Sequence, residues 1–212
     1  MITVTDLTYQ YPKTDAPVLN GFSARFGRGE ITAVSGRNGC GKTTLSKLLT
    51  GIIRPASGSV CIDDIDISGM DLFMIGRHIG YVFQNPDNQL FNETVYDEVA
   101  FGLRNLGLDE KDIDDKVQHH LGFFGLSGYA SVFPGRLSIG EKQRLALAAV
   151  LAFGTDYLVL DEPTTGLDIK RRRELGELLA GLRDKQGCGI IIISHERGFI
   201  SRFADREVVM SG

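Results

Sequence analysis

The stretch GRNGCGKTT at residues 36–44 decides the fold. It matches G-x-x-x-x-G-K-[ST], in which glycines let backbone N–H groups converge on phosphate oxygens and the lysine adds a positive charge. A strand pattern, GRGEITAVSG, leads into it and a helical pattern, KTTLSKLLTGII, begins within it. Because the motif requires this context, the stretch predicts a phosphate-binding loop between a strand and a helix.

Each part of this loop has an expected role in holding a nucleoside triphosphate. Lys42 supplies charge to the phosphates, the Thr43 hydroxyl can ligate Mg²⁺, and the Thr44 hydroxyl can reach the α-phosphate. Cys40 is expected to contribute through its backbone, with an incidental thiol. The predicted nucleotide-binding residues of the loop are Gly36, Arg37, Asn38, Gly39, Cys40, Gly41, Lys42, Thr43 and Thr44.

An acidic motif, YLVLDEP at 157–163, lies downstream. Apolar residues run into Asp161 at a strand end, where its carboxylate can reach the shell of the metal ion. Glu162 follows and can act as the general base that polarises the attacking water. The alternative is an ordinary strand that ends in acidic turn residues, and the upstream phosphate loop argues against it.

The pattern GIIIISH at 189–195 is a further buried strand, and it ends in His195. Ligands bind at the carboxyl edge of such a sheet, so this imidazole could hold the γ-phosphate or position the water. Alternatively, Ser194 and His195 simply end the strand. His119 and His120 fall on a polar helix pattern and are expected at the surface.

The stretch LSIGEKQR at 137–144 predicts a capped helix start. Ser138 can accept a hydrogen bond from the first turn while Glu141 reaches back to the cap. A helix N-terminus beside glycine is also suited to bind an anion. The residues alone leave both functions open.

Composition and charge fit a soluble globular protein: 212 residues, 42% hydrophobic, 24% charged and a net charge of −4. This balance does not indicate nucleic acid as a partner, and the basic run KRRRE at 170–174 is expected to be a solvated helix face. The three cysteines are scattered, which argues against disulfides and zinc. Secretory-signal and membrane-span patterns are absent, so membrane contact is expected only through protein partners.

Strand and helix patterns together predict an α/β fold. Four strand patterns at the N-terminal end are followed by an insertion of three helical patterns between about residues 84 and 153. Strands then alternate with a helix, which implies a parallel sheet with right-handed crossovers. The strand patterns are ITVTDLTYQYP, VLNGFSARF, GRGEITAVSG, RPASGSVCIDDIDI, YLVLDE, GIIIISH and EVVMSG; the helical ones after the first are TVYDEVAFGLRNLG, DEKDIDDKVQHHLGFFG, SIGEKQRLALAAVLAF and KRRRELGELLAGLRDKQG.

The order of phosphate loop, glutamine after a strand, LSxGx, DE and histidine resembles the ATPase subunit of an ABC transporter along essentially the whole chain. The resemblance implies a P-loop NTPase of the ABC type, with a RecA-like core and an antiparallel β-subdomain. A helical subdomain at about 85–153 would be inserted in one domain spanning 1–212. ATP as ligand, Mg²⁺ as cofactor and ATP hydrolysis as activity are implied with it.

The same resemblance assigns roles to two residues outside these motifs. Tyr11 matches the aromatic that stacks on adenine, with Tyr9 on the same strand face as the second candidate; the alternative is a strand aromatic that packs on the core. Gln84 matches the glutamine that touches magnesium and water and links the core to the helical subdomain. Its alternative is a polar loop residue.

LSIGE matches the family signature that binds the γ-phosphate of ATP held by an opposing subunit in a head-to-tail dimer. Ser138, Gly140 and Glu141 are the residues carried over. The stretch departs from the usual LSGGQ at Ile139 and Glu141, and Glu141 would repel a phosphate unless its carboxylate turns back to the cap. Asp168 matches a loop that crosses the dimer interface, or it caps the following helix, or both.

QNPDNQLF and TVYDEVAFGLRNLG resemble, more narrowly, the ATPases of energy-coupling factor importers of vitamins and transition-metal ions. This implies a second ATPase copy or a related subunit, a transmembrane coupling subunit, and a peripheral location at the cytoplasmic face of the cell membrane. Phe91, Val95, Val99 and Leu103 would line a groove for that subunit or pack internally. Another ABC importer class, or a non-transport ABC ATPase, is the alternative.

Such relatives commonly continue beyond the EVVMSG strand into a C-terminal extension that helps dimerisation. The sequence stops at Gly212. We expect either a family member that is naturally short or a chain that has been truncated.

Overall fold

The computed structural model describes residues 1–12 and 14–210. Lys13, in the predicted loop YPKTDAP, and the last two residues of the predicted strand EVVMSG lie outside the described residues.

Two sheets form the frame of the molecule. The first is antiparallel, and its strands are β1 (Ile2–Tyr9), β2 (Leu19–Phe26), β4 (Ser57–Ile62) and β5 (Ile65–Asp66), in the order β2-β1-β4-β5. The second is parallel, and its strands are β3 (Ile31–Gly36), β6 (Ile79–Val82), β7 (Tyr157–Asp161), β8 (Gly189–Ile193) and β9 (Arg206–Met210), in the order β6-β7-β8-β3-β9.

The helices connect these strands. The α-helices are α1 (Lys42–Leu49), α2 (Leu72–Gly76), α3 (Val95–Asn105), α4 (Glu110–Phe123), α5 (Ile139–Ala152), α6 (Ile169–Gln186) and α7 (Arg197–Phe203). Short 3₁₀ helices span Ile67–Gly69, Pro86–Asn88, Ser127–Tyr129 and Pro134–Arg136. The three predicted helices between β6 and β7 are confirmed as α3, α4 and α5.

Side-chain caps explain where the long helices begin. Thr94, Asp109, Ser138 and Asp168 each accept a hydrogen bond from a backbone N–H in the first turn of α3, α4, α5 and α6. Such a bond satisfies one of the N–H groups that have no partner within the helix. The helix starts are therefore local properties of the sequence.

One strand prediction was wrong in its extent. RPASGSVCIDDIDI forms two strands, β4 and β5, because Asp63 and Asp64 adopt left-handed backbone conformations with φ of 45° and 67°. Aspartate tolerates this conformation in tight turns, so the chain folds back into a hairpin. The short helices α2 and α7 were not predicted.

Both faces of the parallel sheet are covered, which explains its continuous apolar strands. Leu158 and Leu160 of β7 pack into the core shared with α3, α4, α5 and α6. Tyr157 and Val159 of the same strand pack into a second core, with α1 and the antiparallel sheet. Polar groups carried by this sheet are thereby confined to the strand ends.

Close packing at the start of β8 gives a stability prediction. A Cβ at Gly189 would lie 2.5 Å from the Gly27 carbonyl oxygen and 2.5 Å from Tyr157 Cδ1. We expect Gly189→Ala to lower the free energy of unfolding by about 1–3 kcal/mol, measured by urea denaturation. The control is Gly181→Ala in α6, where a Cβ meets open space and should add about 0.5–1 kcal/mol. Equal midpoints for both variants would contradict the prediction.

Candidate nucleotide site

The predicted site residues converge at the carboxyl edge of the parallel sheet. Strands β7, β8 and β3 are neighbours there. The phosphate loop follows β3, Asp161 ends β7 and Glu162 follows it, and His195 lies two residues beyond β8. Parallel strands end at the same edge, so three separate motifs form one cluster.

The phosphate loop is built around Gly41 and Lys42. Gly41 has φ of 94°, and a Cβ on it would lie 2.9 Å from Val18 Cγ1. Lys42 opens α1, is almost buried, and its Nζ donates to the carbonyl oxygens of Gly36 and Arg37 at 3.0 and 3.1 Å. The Lys42 ammonium group is thus held in place by carbonyl groups of the phosphate loop itself.

A cleft of about 520 Å³ opens over this loop. Most of the predicted nucleotide and catalytic residues line it, together with Val18: Tyr11, Asn38, Gly39, Gly41, Lys42, Thr43, Thr44, Gln84, Glu162 and His195. Gly36 and Arg37 contribute the carbonyl groups that hold Lys42, and Cys40 is buried behind the loop. The Cys40 thiol therefore lies outside this cleft, as predicted.

Tyr11 lines the nucleotide cleft. Its hydroxyl lies 3.2 Å from Thr44 Oγ1, and its ring packs edge-on against Tyr9 with centroids 4.9 Å apart. The prediction that Tyr9 and Tyr11 share a strand face was wrong, because strand β1 ends at Tyr9. Tyr9 supports the ring that is exposed to the cleft.

Asp161 lies beneath Thr43 and is held from two sides. Thr43 Oγ1 donates to Oδ1 at 3.4 Å, and the Tyr81 hydroxyl donates to Oδ2 at 3.2 Å. Burial raises the pKa of Asp161, while these hydrogen bonds act in the opposite direction. Burial also raises the pKa of Tyr81 to about 12.

These oxygens fit Mg²⁺. The ion prefers hard oxygen ligands and is bound in proteins by one or two carboxylates together with substrate phosphates. A hydroxyl and a carboxylate meet beside the phosphate loop, and the amide of Gln84 lines the same cleft. Thr43, Asp161 and Gln84 are therefore the residues that would hold the ion or its waters.

Glu162 combines an unusual backbone with a free carboxylate oxygen. Its φ is 48°, a left-handed conformation that costs a residue other than glycine about 1–3 kcal/mol. Oε1 accepts from His195 Nδ1 at 2.8 Å, while Oε2 is buried and has no partner among the described residues. One oxygen is oriented by histidine and the other is available to accept a proton. Neither the backbone strain nor this pairing could be read from the sequence.

The signature residues form the predicted capping box at the start of α5. Glu141 Oε2 accepts from both the N–H and the hydroxyl of Ser138, each at 2.7 Å, and Ser138 Oγ accepts from the Glu141 N–H. Hydrogen bonds from Ser138 hold the pKa of Glu141 below its usual value. Its carboxylate therefore turns back to the cap, as the departure from the family signature required.

Ser138, Gly140 and Glu141 line a second cleft, of about 280 Å³, that does not include the phosphate loop. Arg144 and Arg171 line it too. Within one chain, the signature residues at the start of α5 and the phosphate loop therefore line separate clefts and do not meet.

Asp168 caps α6, because its Oδ1 accepts from the Arg171 N–H at 2.8 Å. The capping role is confirmed. The predicted role of Asp168 at a dimer interface stays a prediction.

An apolar groove of about 410 Å³ lies beside the nucleotide cleft. Phe91, 67% exposed, lies against Phe101 with ring centroids 5.0 Å apart. For Val95, Val99 and Leu103 the alternative that they pack internally is confirmed, since all three are fully buried in the core of the helices. The groove wall is built instead by aromatic side chains from several elements: Phe73, Phe83, Phe91, Phe101 and Phe153.

Comparisons with known proteins agree with this geometry. The ABC transporter family profile matches residues 19–165. The energy-coupling factor transporter ATP-binding protein EcfA of Methanothermobacter thermautotrophicus is 45% identical over 213 residues, covering 100% of this chain and 68% of that protein.

Solved structures share the fold over nearly the whole chain. CbiO1 from Clostridium perfringens, described as part of the ABC transporter complex CbiONQ, superposes with a TM-score of 0.91 at 37% identity, covering 99% of this chain and 84% of that one. The dimeric ATP-binding cassette MJ0796, in a post-hydrolysis state with ADP and phosphate, superposes with a TM-score of 0.87 at 24% identity, covering 100% and 94%.

The predicted fold class, an ABC-type P-loop NTPase, is thus confirmed. The family profile, the EcfA relative and the nucleotide cleft lead to one conclusion: this chain belongs to the ABC transporter family, as an ATP-binding subunit and an ATPase.

Proposed function

We propose that this chain hydrolyses ATP to power the import of a vitamin or a transition-metal ion through a membrane partner. The observation that carries this proposal is that Phe83 lines the apolar groove while its chain neighbour, Gln84, lines the nucleotide cleft. A partner seated in the groove would therefore lie one residue from the bound nucleotide. The EcfA relative supports the importer class.

Catalysis rests on Glu162 and the groups around it. Glu162 removes a proton from the water that attacks the γ-phosphorus, and ADP and phosphate leave. His195 orients this carboxylate through Oε1, Gln84 positions the water, and Lys42 with the loop N–H groups stabilises charge on the phosphates. Thr43, Asp161 and Gln84 would hold Mg²⁺, which would supply positive charge beside the phosphates.

We propose a head-to-tail dimer, and the position of the second cleft supports it. Ser138 and the Gly140 N–H lie at the N-terminus of a 14-residue helix, where an anion is stabilised. They lie outside their own nucleotide cleft, so we propose that they meet the γ-phosphate of ATP held by a second copy or a related subunit, with Asp168 beside them. ATP binding would close this dimer, and hydrolysis would reopen it.

A transmembrane coupling subunit is the proposed occupant of the apolar groove. In the described part of the chain, none of the helices has the length and apolarity to span a membrane. We therefore propose a peripheral location at the cytoplasmic face, held by this subunit. In this proposal the chain is one ABC ATPase domain over residues 1–212. The helical subdomain at about 85–153 and the nucleotide-binding core each contribute about half of the groove.

Recovery of the chain with an integral membrane protein tests this proposal. Phe91→Asp would place a charge in the groove and should weaken the association about 30-fold, as loss of an interface hot spot does. The measurement is affinity purification of the tagged chain from detergent-solubilised membranes, with the recovered proteins identified by mass spectrometry. Ile65→Asp is the matched control, since Ile65 is 61% exposed on the antiparallel sheet.

The outcomes separate the candidate functions. A membrane protein lost with Phe91→Asp and kept with Ile65→Asp would support a transport role. Recovery of soluble partners alone would favour a non-transport ATPase. Labelled cobalt ion and labelled vitamins, offered to cells lacking this chain, would then identify the imported class, and dependence on a separate binding protein would indicate another importer class.

A further inference from the structure

Tyr81 touches both the nucleotide site and the apolar groove. Its hydroxyl lies 3.2 Å from Asp161 Oδ2 and 3.2 Å from Ser46 Oγ. Its ring packs against Phe83 with centroids 4.9 Å apart and an interplanar angle of 61°, and both rings line the groove.

The hydrogen-bond donors near Tyr81 decide where its proton goes. Ser46 Oγ donates to the Thr43 carbonyl oxygen at 2.8 Å, so its single proton is already used. The Asp161 carboxylate can only accept when it is ionised. The Tyr81 hydroxyl therefore donates to Asp161 Oδ2, and Oδ1 is left to face the Thr43 hydroxyl.

The backbone that carries Tyr81 is also fixed. Gln89 Nε2 donates to the Tyr81 carbonyl oxygen at 3.2 Å, and Gln89 Oε1 accepts from the Phe83 N–H at 3.1 Å. One side-chain amide thus satisfies backbone groups at the edge of β6 as a neighbouring strand would. A displacement of the groove wall at Phe83 is transmitted to Tyr81 through this short, bonded segment.

We propose that Tyr81 is a positioning residue: its hydroxyl directs one Asp161 oxygen toward the magnesium shell, and its ring connects that carboxylate to the wall of the groove. This rests on the proposed function, in which Mg²⁺ binds beside Thr43 and a partner binds in the groove. Tyr81 does not touch the nucleotide itself.

The test is ATP affinity with Mg²⁺ and with EDTA, measured with a fluorescent ATP analogue. Tyr81→Phe should leave the metal-free affinity unchanged and reduce the gain from Mg²⁺ about tenfold, the effect expected for a lost hydrogen bond to a charged group. Tyr157→Phe is the matched control. It removes the same atom from the adjacent strand, where the buried hydroxyl has no partner among the residues described.

A second readout reports on the groove. The chain contains no tryptophan, so Phe101→Trp places a single tryptophan, which can be excited selectively over tyrosine, in the groove wall. Its emission should change when Mg-ATP binds, and adding Tyr81→Phe should abolish that change at saturating nucleotide. Adding Tyr157→Phe should leave it intact.

The results separate this inference from the proposed function. If the unmodified chain gains no affinity from Mg²⁺, the proposed magnesium site is wrong and the role of Tyr81 falls with it. If the unmodified chain gains affinity and Tyr81→Phe gains as much, only the role of Tyr81 is overturned. An equal emission change with and without the Tyr81 hydroxyl would overturn the connection to the groove.

Discussion

Glu162→Gln is expected to lower the rate constant of ATP hydrolysis about 10³-fold while ATP binding is preserved. The amide keeps the shape of the side chain but cannot take a proton from water. Lys42 and the loop N–H groups, which are proposed to hold the phosphates, are unchanged by this substitution. Phosphate release measures the rate, and a fluorescent ATP analogue measures binding.

The same variant should accumulate the proposed closed dimer, because in this proposal hydrolysis reopens the dimer and the variant stalls hydrolysis. Gel filtration with and without Mg-ATP is the measurement, and Glu177→Gln, on the exposed side of α6, is the control. A nucleotide-dependent dimer would mean that two identical chains complete each other's sites. A monomer that still binds ATP would contradict the homodimer and direct the search to a related second ATPase.

Ser138→Arg, added to Glu162→Gln, is expected to abolish that dimer. The long cation would occupy the helix start that is proposed to meet the opposing γ-phosphate, and the capping box would be lost. ATP binding to the monomer should be unchanged, because Ser138 lies outside the nucleotide cleft. Sedimentation velocity with Mg-ATP measures the dimer fraction.

Cap loss alone costs about 1 kcal/mol of stability, so the melting temperature must be compared as well. Ser68→Arg is the matched control, placed at an exposed position in the 3₁₀ helix after β5. A dimer that persists with Ser138→Arg would contradict the proposed contact across the interface.

Most of the nucleotide cleft could be predicted because its chemistry is local in sequence. The phosphate loop and the Asp161–Glu162 pair are each contained within a short stretch, and Lys42 is held by carbonyl groups of its own loop. The Ser138 cap, which lies outside this cleft, could be predicted for the same reason. The pairing of Glu162 with His195 could not be predicted. It depends on β8 lying beside β7 with a register that aligns their ends, which is a property of the whole sheet.

The groove was predicted less well for a different reason. Val95, Val99 and Leu103 have the helical spacing of an apolar face, but spacing does not say whether that face meets its own core or a partner. Here it meets the core. The groove wall is assembled from aromatic residues on separate elements, and Tyr81 reaches Asp161 across neighbouring strands, so neither leaves a periodic signal.

At Glu162, the requirements of protein stability and of ATP hydrolysis conflict, because the left-handed backbone is strained for glutamate. Glycine or asparagine would adopt φ of 48° more readily. Either would relax the loop, yet neither carries a carboxylate that can receive a proton. Selection for heat resistance alone would therefore favour replacing the residue that is proposed as the general base. A more thermostable variant that still hydrolyses ATP would have to gain its stability from substitutions elsewhere in the chain.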